Sequence, residues 1–364
     1  MTNITRSFAI LFTIFIFVIG CQKPKNILNS RLNEIQIIGS HNSYKIAIDS
    51  DLWRLMFEQD SLSALSLQYE HVSLTQQLDL GLRSLEIDVF HDPQGGRFTN
   101  PLGLAILAEN GATAQPFDLQ NDLEKPGLKV FHVQDFDFRS HNLLFKDNLK
   151  VLKKWSDENE NHIPVIITIN TKDEILEEPG CAIPLSFTKA ALDSIDLEIR
   201  SVFDESRLVT PALIKGHCAT LEQAILENGW PKIKKVKGRF FFVLDEGGKK
   251  RVDYLQDDGN PNRVMFVNVQ EGHPEAAIQI INDPIENQQH IQQLVIKGYM
   301  VRTRADAGTL EARENSADRF NFAMASKAQI ISTDYYIPSR LFPSEYKVIF
   351  EGNGYTRFNE LLSD

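Results

Sequence analysis

Two histidines stand at the ends of short apolar runs, where their side chains could carry out acid–base chemistry. His41 follows the run 34–39, and His132 lies near the end of the run 128–133. An imidazole titrates near neutral pH, so one of them can accept a proton while the other donates one. We interpret the remaining histidines as surface or packing residues: His71, His91, His141, His162, His217, His273 and His290.

Pairs of charged residues two positions apart lie at the ends of other apolar runs. Residues i and i+2 of a β-strand point to the same side, so Glu86 and Asp88 share a face, as do Arg302 and Arg304. A carboxylate pair can bind a hard cation, whereas an arginine pair suits phosphate or a hydroxyl-rich headgroup. The alternative is that these residues form structural ion pairs inside a barrel. Further polar residues at run ends are Asn42, Asn170, Lys172, Asp245, Asp306 and Asp334.

Eight short runs rich in β-branched and aromatic residues predict the strands that position these side chains. They are residues 34–39, 84–90, 128–133, 164–170, 239–244, 263–269, 298–303 and 328–333. Several are apolar at nearly every position, which is typical of parallel strands buried on both faces. Stretches such as 142–159 are long enough for helices between them. The pattern predicts an α/β fold, either a (β/α)₈ TIM-type barrel or an open doubly wound sheet. Polar residues gathered at the carboxyl ends favour the barrel, as one domain with insertions at 92–127 and 173–237.

The N-terminus has the pattern of an export signal. Arg6 precedes an apolar run at 8–19, which would span roughly 18 Å as a helix and is too short to cross a membrane. Val18-Ile19-Gly20-Cys21 resembles a bacterial lipobox, in which the cysteine carries the lipid. We therefore predict a signal peptide at 1–20, lipidation of Cys21, a tether at 21–33 and the barrel at 34–364. This predicts an exported lipoprotein on the outer membrane or cell surface, with ordinary signal cleavage as the alternative.

The net charge of the chain limits the classes of molecule that it can bind. The formal net charge of −11 argues against nucleic acid, so local cations must bind any anionic substrate. One basic run exists, Lys232, Lys234, Lys235, Lys237 and Arg239, which we interpret as a solvated face with lipid headgroups as the alternative partner. Cys181 and Cys218 could form a disulfide or remain two free thiols. The sequence predicts no oligomeric state.

Several motifs resemble one enzyme superfamily. Gly39-Ser40-His41-Asn42-Ser43-Tyr44, Leu85-Glu86-Ile87-Asp88 and Phe131-His132-Val133 are similar to the phosphatidylinositol-specific phospholipase C superfamily, especially its bacterial calcium-dependent branch. The segments 301–306 and 329–336 extend the likeness from about Ile35 to Tyr336. The resemblance implies a barrel enzyme that cleaves a phosphoinositide into diacylglycerol and a cyclic or open inositol phosphate.

The resemblance also implies roles for individual residues. In the family the first catalytic histidine follows strand one and the second follows strand three, which gives His41 and His132. The implied metal ligands are Asn42, Glu86 and Asp88 around a divalent cation, Ca²⁺ or alternatively Mg²⁺. The family's acidic ligand after strand four is replaced by Asn170, which offers an oxygen without charge and weakens the case for calcium. The expected substrate-binding residues are Lys172, Arg302, Arg304, Asp245 and Tyr335.

Two other functions remain open from the sequence. A glycerophosphodiester phosphodiesterase uses a similar barrel, but Asn170 and the pair His41-Asn42 depart from its pattern. A lipoprotein that binds an inositol or sugar phosphate without hydrolysing it is the non-enzymatic alternative. In the two enzymatic cases the partner is a phosphodiester or phospholipid, and in all three cases the lipid anchor adds a membrane.

Overall fold

A computed structural model describes residues 26–256, 263–352 and 354–362. The predicted signal peptide and Cys21 lie outside this described part. Its strands are β1 (Ile35–Ser40), β2 (Ser84–Phe90), β3 (Val165–Lys172), β4 (Phe240–Leu244), β5 (Phe266–Val267), β6 (Ile278–Ile280), β7 (Met300–Arg304), β8 (Ile330–Thr333) and β9 (Thr356–Phe358). Its helices are α1 (Ser50–Gln59), α2 (Ser61–Ser66), α3 (Leu74–Leu80), α4 (Leu102–Glu109), α5 (Phe145–Glu158), α6 (Lys189–Val202), α7 (Pro211–Lys215), α8 (Leu221–Gln223), α9 (Ile233–Val236), α10 (Gly248–Leu255), α11 (Pro284–Lys297), α12 (Leu310–Glu314) and α13 (Asp318–Ala325). None of these helices is long and apolar enough to span a membrane.

Eight parallel strands form a nearly closed barrel, as the sequence predicted. Their order is β5-β4-β3-β2-β1-β8-β7-β6, with helices in the connections between strands. The two end strands, β5 and β6, meet through a single bridge between Asn268 and Ile278. The side chain of Asn268 adds a second link, because its Oδ1 accepts a hydrogen bond from the Ile280 amide at 3.1 Å. The fold is therefore a (β/α)₈ TIM-type barrel in which few hydrogen bonds join β5 to β6.

The sequence explains why these segments become strands and helices. All residues of β4 are buried, which fits its sequence of three phenylalanines, valine and leucine on a two-sided parallel strand. Helix α11 begins at Pro284, where the Asp283 carboxylate accepts hydrogen bonds from the next two free amides. It ends before Gly298, whose φ of 110° is a left-handed conformation that glycine adopts without strain.

The contact between β1 and β2 is unusually close. A Cβ atom added at Gly39 would lie 2.4 Å from the Cβ of Ser84, so only glycine fits there. The first half of β1 pairs instead with the C-terminal strand β9, which runs antiparallel to it with Ile35 opposite Phe358. Arg357 of β9 donates hydrogen bonds to the Gln36 side chain at 2.9 and 2.7 Å. This arrangement brings the N-terminal end of the barrel and the C-terminus of the chain together.

One strand prediction was wrong, and one barrel strand was not predicted. Residues 128–133 are not the third barrel strand, because β2 pairs directly with β3 along its whole length. The segment is an extended connection after β2, held by isolated antiparallel bridges from Lys129 to Phe90 and to Leu144. Residues 278–280 supply the missing barrel strand, and the run 263–269 contributes only the two residues of β5. Consequently His132 lies in a connection after β2, and the predicted strand-four residues Asn170 and Lys172 belong to β3.

The two cysteines are free thiols in the structure. Cys218 accepts a hydrogen bond from the Asn228 amide at 3.1 Å. Burial raises the pKa of Cys181 to about 11, helped by Asp135. Of the two alternatives from the sequence, the structure therefore has free thiols.

Candidate active site

The carboxyl ends of five neighbouring strands bring most of the predicted site residues together. They carry His41 and Asn42 after β1, Glu86 and Asp88 on β2, Asn170 and Lys172 on β3, Arg302 and Arg304 on β7, and Asp334 after β8. This is the end at which barrel enzymes place their chemistry, because the loops there vary without disturbing the core. Ion pairs and hydrogen bonds join His41, Glu86, Arg302, Arg304 and Asp334 into one network, and Lys172 forms an ion pair with Asp88 beside it.

His41 is held between a carboxylate and a guanidinium. Its Nδ1 lies 2.9 Å from Oδ1 of Asp334, so the carboxylate accepts the Nδ1 proton and Nε2 keeps its lone pair. Nη1 of Arg304 approaches that Nε2 at 3.4 Å, and Oε1 of Glu86 lies 3.7 Å from it. Burial and the charge of Arg304 lower the pKa of His41 well below its usual value. The imidazole is therefore neutral near pH 7, with Nε2 facing the charged residues of the site.

His132 has a second buried carboxylate behind it. Its Nδ1 lies 2.8 Å from Oδ2 of Asp137, and the other oxygen of Asp137 forms an ion pair with Lys45 at 3.0 Å. Both Asp137 and Lys45 are fully buried, and Lys45 also donates to the Tyr69 carbonyl at 3.0 Å. Although burial acts to raise it, the pKa of Asp137 is held below its usual value by Lys45 and His132. A buried, ionised carboxylate thus fixes the orientation of the second imidazole.

Tyr69 lies between the two histidines. The centroid of its ring is 6.1 Å from that of His41 and 6.4 Å from that of His132. Its hydroxyl accepts a hydrogen bond from the Asn42 amide at 2.7 Å. Asn42 has a positive φ of 47°, a conformation that asparagine tolerates better than most residues. Two imidazoles distant in the sequence therefore both contact the ring of Tyr69, and Asn42 contacts its hydroxyl.

Arginines compensate the buried carboxylates of the site. Arg302 forms an ion pair with Glu86 through Nη2, and its Nη1 lies 3.9 Å from Asp245. Burial acts to raise the pKa of Glu86, but Arg302, His41 and Arg304 hold it below its usual value. The structural ion pair considered from the sequence is therefore present, in the same network as the histidine. Burial raises the pKa of Asp245 to about 6.

Asp88 has the chemistry that a hard cation requires. Its carboxylate is buried, and both of its oxygens lack a hydrogen-bond partner of good geometry. Lys172 is its ion-pair partner, with Nζ 3.2 Å from Oδ2, and burial raises the pKa of Asp88 despite that charge. Asn170 lies opposite Asp88 in the register of β2 and β3.

These donors fit a divalent cation in kind: two carboxylates and the amide oxygens of Asn42 and Asn170. Within the described ranges no three His, Cys, Asp or Glu side chains gather into a metal site. Any cation here must therefore rely on amide oxygens in addition to Glu86 and Asp88.

The structure places the remaining predicted residue away from this network. Tyr335 is buried in an aromatic cluster, with its ring 6.0 Å from Phe342 and 5.9 Å from Tyr346. Its proposed contact with substrate remains a prediction.

Three residues near the site were not identified from the sequence: Tyr69, Asp137 and Lys45. Asp137 and Lys45 have no strand-end position, although two aspartates follow His132 within five residues. His71 was assigned to the surface or to packing. It is buried, its Nε2 lies 2.7 Å from the His41 carbonyl, and burial lowers its pKa to about 4. It therefore supports the backbone at His41.

One family model matches nearly the whole chain. The family model described as "Phosphoinositide phospholipase C, Ca²⁺-dependent" matches residues 30–360. Among solved structures, the calcium-dependent phosphoinositol-specific phospholipase C of a Pseudomonas species, in a myoinositol complex, is 15% identical with a TM-score of 0.53. That match covers 91% of this chain and 96% of the other. The Ca²⁺-dependent phosphatidylinositol-specific phospholipase C of Streptomyces antibioticus is 15% identical with a TM-score of 0.52, over 84% and 95% of the two chains. These structures share the fold, and a search of curated proteins gave no match.

Proposed function

The chain belongs to the Ca²⁺-dependent phosphoinositide phospholipase C family and is a phosphodiesterase, and on that premise we propose that it cleaves phosphatidylinositol with His41 and His132 as its acid–base pair. The observation that carries the assignment is the parallel environment of the two imidazoles. Each offers Nδ1 to a buried carboxylate, which leaves Nε2 for proton transfer, and both border the ring of Tyr69. By family resemblance, the products are diacylglycerol and a cyclic or open inositol phosphate.

His41 is the general base in this proposal. A base must be neutral when substrate binds, and burial together with Arg304 lowers the pKa of His41 well below its usual value. Asp334 holds the imidazole so that Nε2 can accept the proton of the attacking hydroxyl, and it then stabilises the imidazolium that forms. An inositol ring hydroxyl as nucleophile gives the cyclic product.

His132 is the general acid. Asp137 is kept ionised by Lys45, so it stabilises a protonated imidazole at 2.8 Å. The Nε2 proton is then available to the leaving alkoxide of diacylglycerol. Different surroundings thus assign different proton roles to two chemically identical side chains.

The charge that develops on the phosphoryl oxygens needs compensation. Arg304, Arg302 and Lys172 are the cations of this chain that pair with the carboxylates Asp334, Glu86 and Asp88 of the site. Asn42, Glu86, Asp88 and Asn170 would hold the divalent cation, which supplies further positive charge at the phosphate and at the attacking hydroxyl when bound. We expect Ca²⁺ to raise the melting temperature of the wild-type protein but not that of an Asp88→Asn variant, as measured by thermal unfolding with and without chelator.

The acid–base assignment is tested with phosphatidylinositol in detergent micelles. We expect His41→Ala and His132→Ala each to lower turnover by about a hundredfold or more, with an unchanged circular dichroism spectrum. His290→Ala, at an exposed histidine on α11, is the matched control. Wild-type turnover in both site variants would reject the pair. Glycerol 3-phosphate released from glycerophosphocholine, without cleavage of phosphatidylinositol, would assign the chain to water-soluble diesters instead.

We also propose that the protein is exported and lipid-anchored. The support is the lipobox-like Val18-Ile19-Gly20-Cys21 after an apolar run. Residues 34–364 would then form a single catalytic barrel on the outer membrane or cell surface, joined to the anchor by residues 21–33. Metabolic labelling with a radioactive fatty acid should mark the wild-type protein and not a Cys21→Ser variant.

A further inference from the structure

The basic run carries charges that no ion pair of the described residues neutralises. Lys232, Lys234, Lys235 and Lys237 are all exposed, and no acidic residue occurs between positions 228 and 244. Lys234 and Lys237 donate to the neutral side chains of Asn29 and Asn161 at 3.1 and 2.6 Å. None of the four lysines forms an ion pair with a carboxylate of the described residues. Elsewhere many surface lysines are paired, as Lys153 is with Asp157 at 2.6 Å.

Two arginines extend this surface into a groove of about 450 Å³. Arg31 donates to the backbone carbonyls of Asn228 and Trp230 at 2.8 and 2.7 Å, and Arg239 donates to the Leu208 carbonyl at 3.3 Å. Neither arginine is paired with a carboxylate of the described residues. We call the four lysines with Arg31 and Arg239 the basic face. It concentrates uncompensated positive charge on a protein whose net charge is −11.

The basic face lies at the end of the barrel opposite the catalytic residues. Arg239 immediately precedes β4, so the face is at the amino ends of the strands, whereas the site is at their carboxyl ends. The N-terminal segment enters beside it, because Ile233 donates to the Ser30 carbonyl at 2.8 Å and Leu32 to the Pro231 carbonyl at 3.1 Å.

Four residues separate Cys21 from Asn26, the first described residue, and the chain between these two residues spans at most about 18 Å when fully extended. Two of the residues in between, Lys23 and Lys25, add positive charge. A lipid on Cys21 would therefore keep the basic face close to the headgroups of the membrane that holds it.

We propose that the basic face docks on the anionic phospholipid surface of the membrane from which the N-terminus extends, so that the catalytic end points away from that membrane. Clustered lysines and arginines near an anionic bilayer each strengthen binding about fivefold, and the effect falls off within roughly 10 Å. The substrate would then come from a facing membrane or from detached lipid. Docking by this face does not depend on the catalytic assignment, so the two proposals fail separately.

The first test measures binding of the full chain to vesicles of phosphatidylglycerol and phosphatidylcholine, against phosphatidylcholine alone. Lys234→Gln with Lys235→Gln should weaken binding to the anionic vesicles by about 25-fold. The matched control is Lys146→Gln with Lys154→Gln, two exposed lysines on α5 with the same change in charge. Both pairs keep the same N-terminus and should retain wild-type cleavage of micellar substrate. Equal loss in the two pairs, or equal binding of wild type to both kinds of vesicle, overturns the proposal.

The second test reports the orientation. Amine-reactive labelling followed by mass spectrometry should find Lys232, Lys234, Lys235 and Lys237 protected on anionic vesicles. Lys249 lies beyond the carboxyl end of β4, has a side chain that is 84% exposed, and should stay reactive. The catalytic end also exposes aliphatic residues, namely Leu62, Leu119 and Ile175. Protection of Lys249 instead of the four lysines would show that this end docks, and would refute the proposal.

Discussion

Replacing Arg304 with methionine should move the pH dependence of catalysis upward. The guanidinium of Arg304 lies 3.4 Å from Nε2 of His41, the atom that we propose as the proton acceptor. It also pairs with Asp334 at 3.2 Å, on the other side of the imidazole. Methionine keeps an apolar side chain of similar length and removes the charge.

Both consequences of the change raise the pKa of His41. Two unit charges 3.4 Å apart repel by about 5 kcal/mol in an effective dielectric of about 20. At 1.36 kcal/mol per pKa unit that is about three and a half units as an upper limit. Glu86 and Asp334 already screen part of the arginine charge, so we expect a rise of about one to two units. Asp334, released from the arginine, favours the imidazolium further.

The assay is kcat/KM for phosphatidylinositol in micelles, measured across pH at saturating Ca²⁺. Wild-type activity should fall only well below pH 6.5, where His41 gains a proton and can no longer act as a base. The acidic limb of the Arg304→Met profile should lie about one to two pH units higher. Arg340→Met, which removes an exposed arginine paired with Glu70, is the control and should leave the limb in place. The rate itself also falls if Arg304 binds phosphate, so the position of the limb is the decisive quantity. If the acidic limb of the profile stays in place or moves to lower pH, Arg304 does not lower the pKa of the catalytic base, and the proposed role of His41 is refuted.

Three further variants test the surroundings of the site and of the core. Asp137→Asn removes the anion behind His132, and we expect kcat to fall by about a hundred- to ten-thousand-fold with unchanged circular dichroism; a loss under tenfold would contradict its role. Lys45→Met leaves Asp137 buried without its ammonium, so urea unfolding should show about 3–5 kcal/mol less stability, and a loss below about 1 kcal/mol would argue against the ion pair. His162 is buried with a pKa lowered to about 4, so between pH 6.5 and 4 the unfolded state binds a proton that the folded state does not. The free energy of unfolding should therefore fall as the pH drops through this window. Between pH 7 and pH 4 this loss should be about 3 kcal/mol smaller for His162→Gln than for wild type, as measured by urea titrations at the two pH values.

The sequence predicted most of the barrel because buried parallel strands leave a local signal. Runs such as the one at β4 are apolar throughout, and seven of the eight predicted runs contain a barrel strand. The error at 128–133 has a physical cause. Apolar residues show that a segment is buried, but they do not show which strand it pairs with, since parallel partners are distant in the chain. The three residues of β6 were too few to give a pattern.

For the site, too, residues with a local sequence signal were predicted, and residues related only through the folded chain were not. Strand-end positions pointed to His41, Glu86, Asp88 and Arg302, which the structure joins in contact or in register. Asp137 and Lys45 could not be found this way, because they lie in connections and are related only by the folded chain. His132 lies in a connection and not on a barrel strand, so the ion pair of Asp137 with Lys45 is what holds its imidazole in place. Sequence patterns therefore identified the proposed reacting groups more readily than the residues that orient them.

The antiparallel pairing of β9 with β1 has a consequence for how the chain is made. Gln36 and Arg357 are 321 positions apart, so β1 has no complete set of neighbours until residue 357 has been synthesised. Contacts of such long sequence separation form slowly, and an unpaired strand edge invites association with other chains. A chain ending before Thr356 should consequently aggregate during expression, although every proposed catalytic residue would still be present.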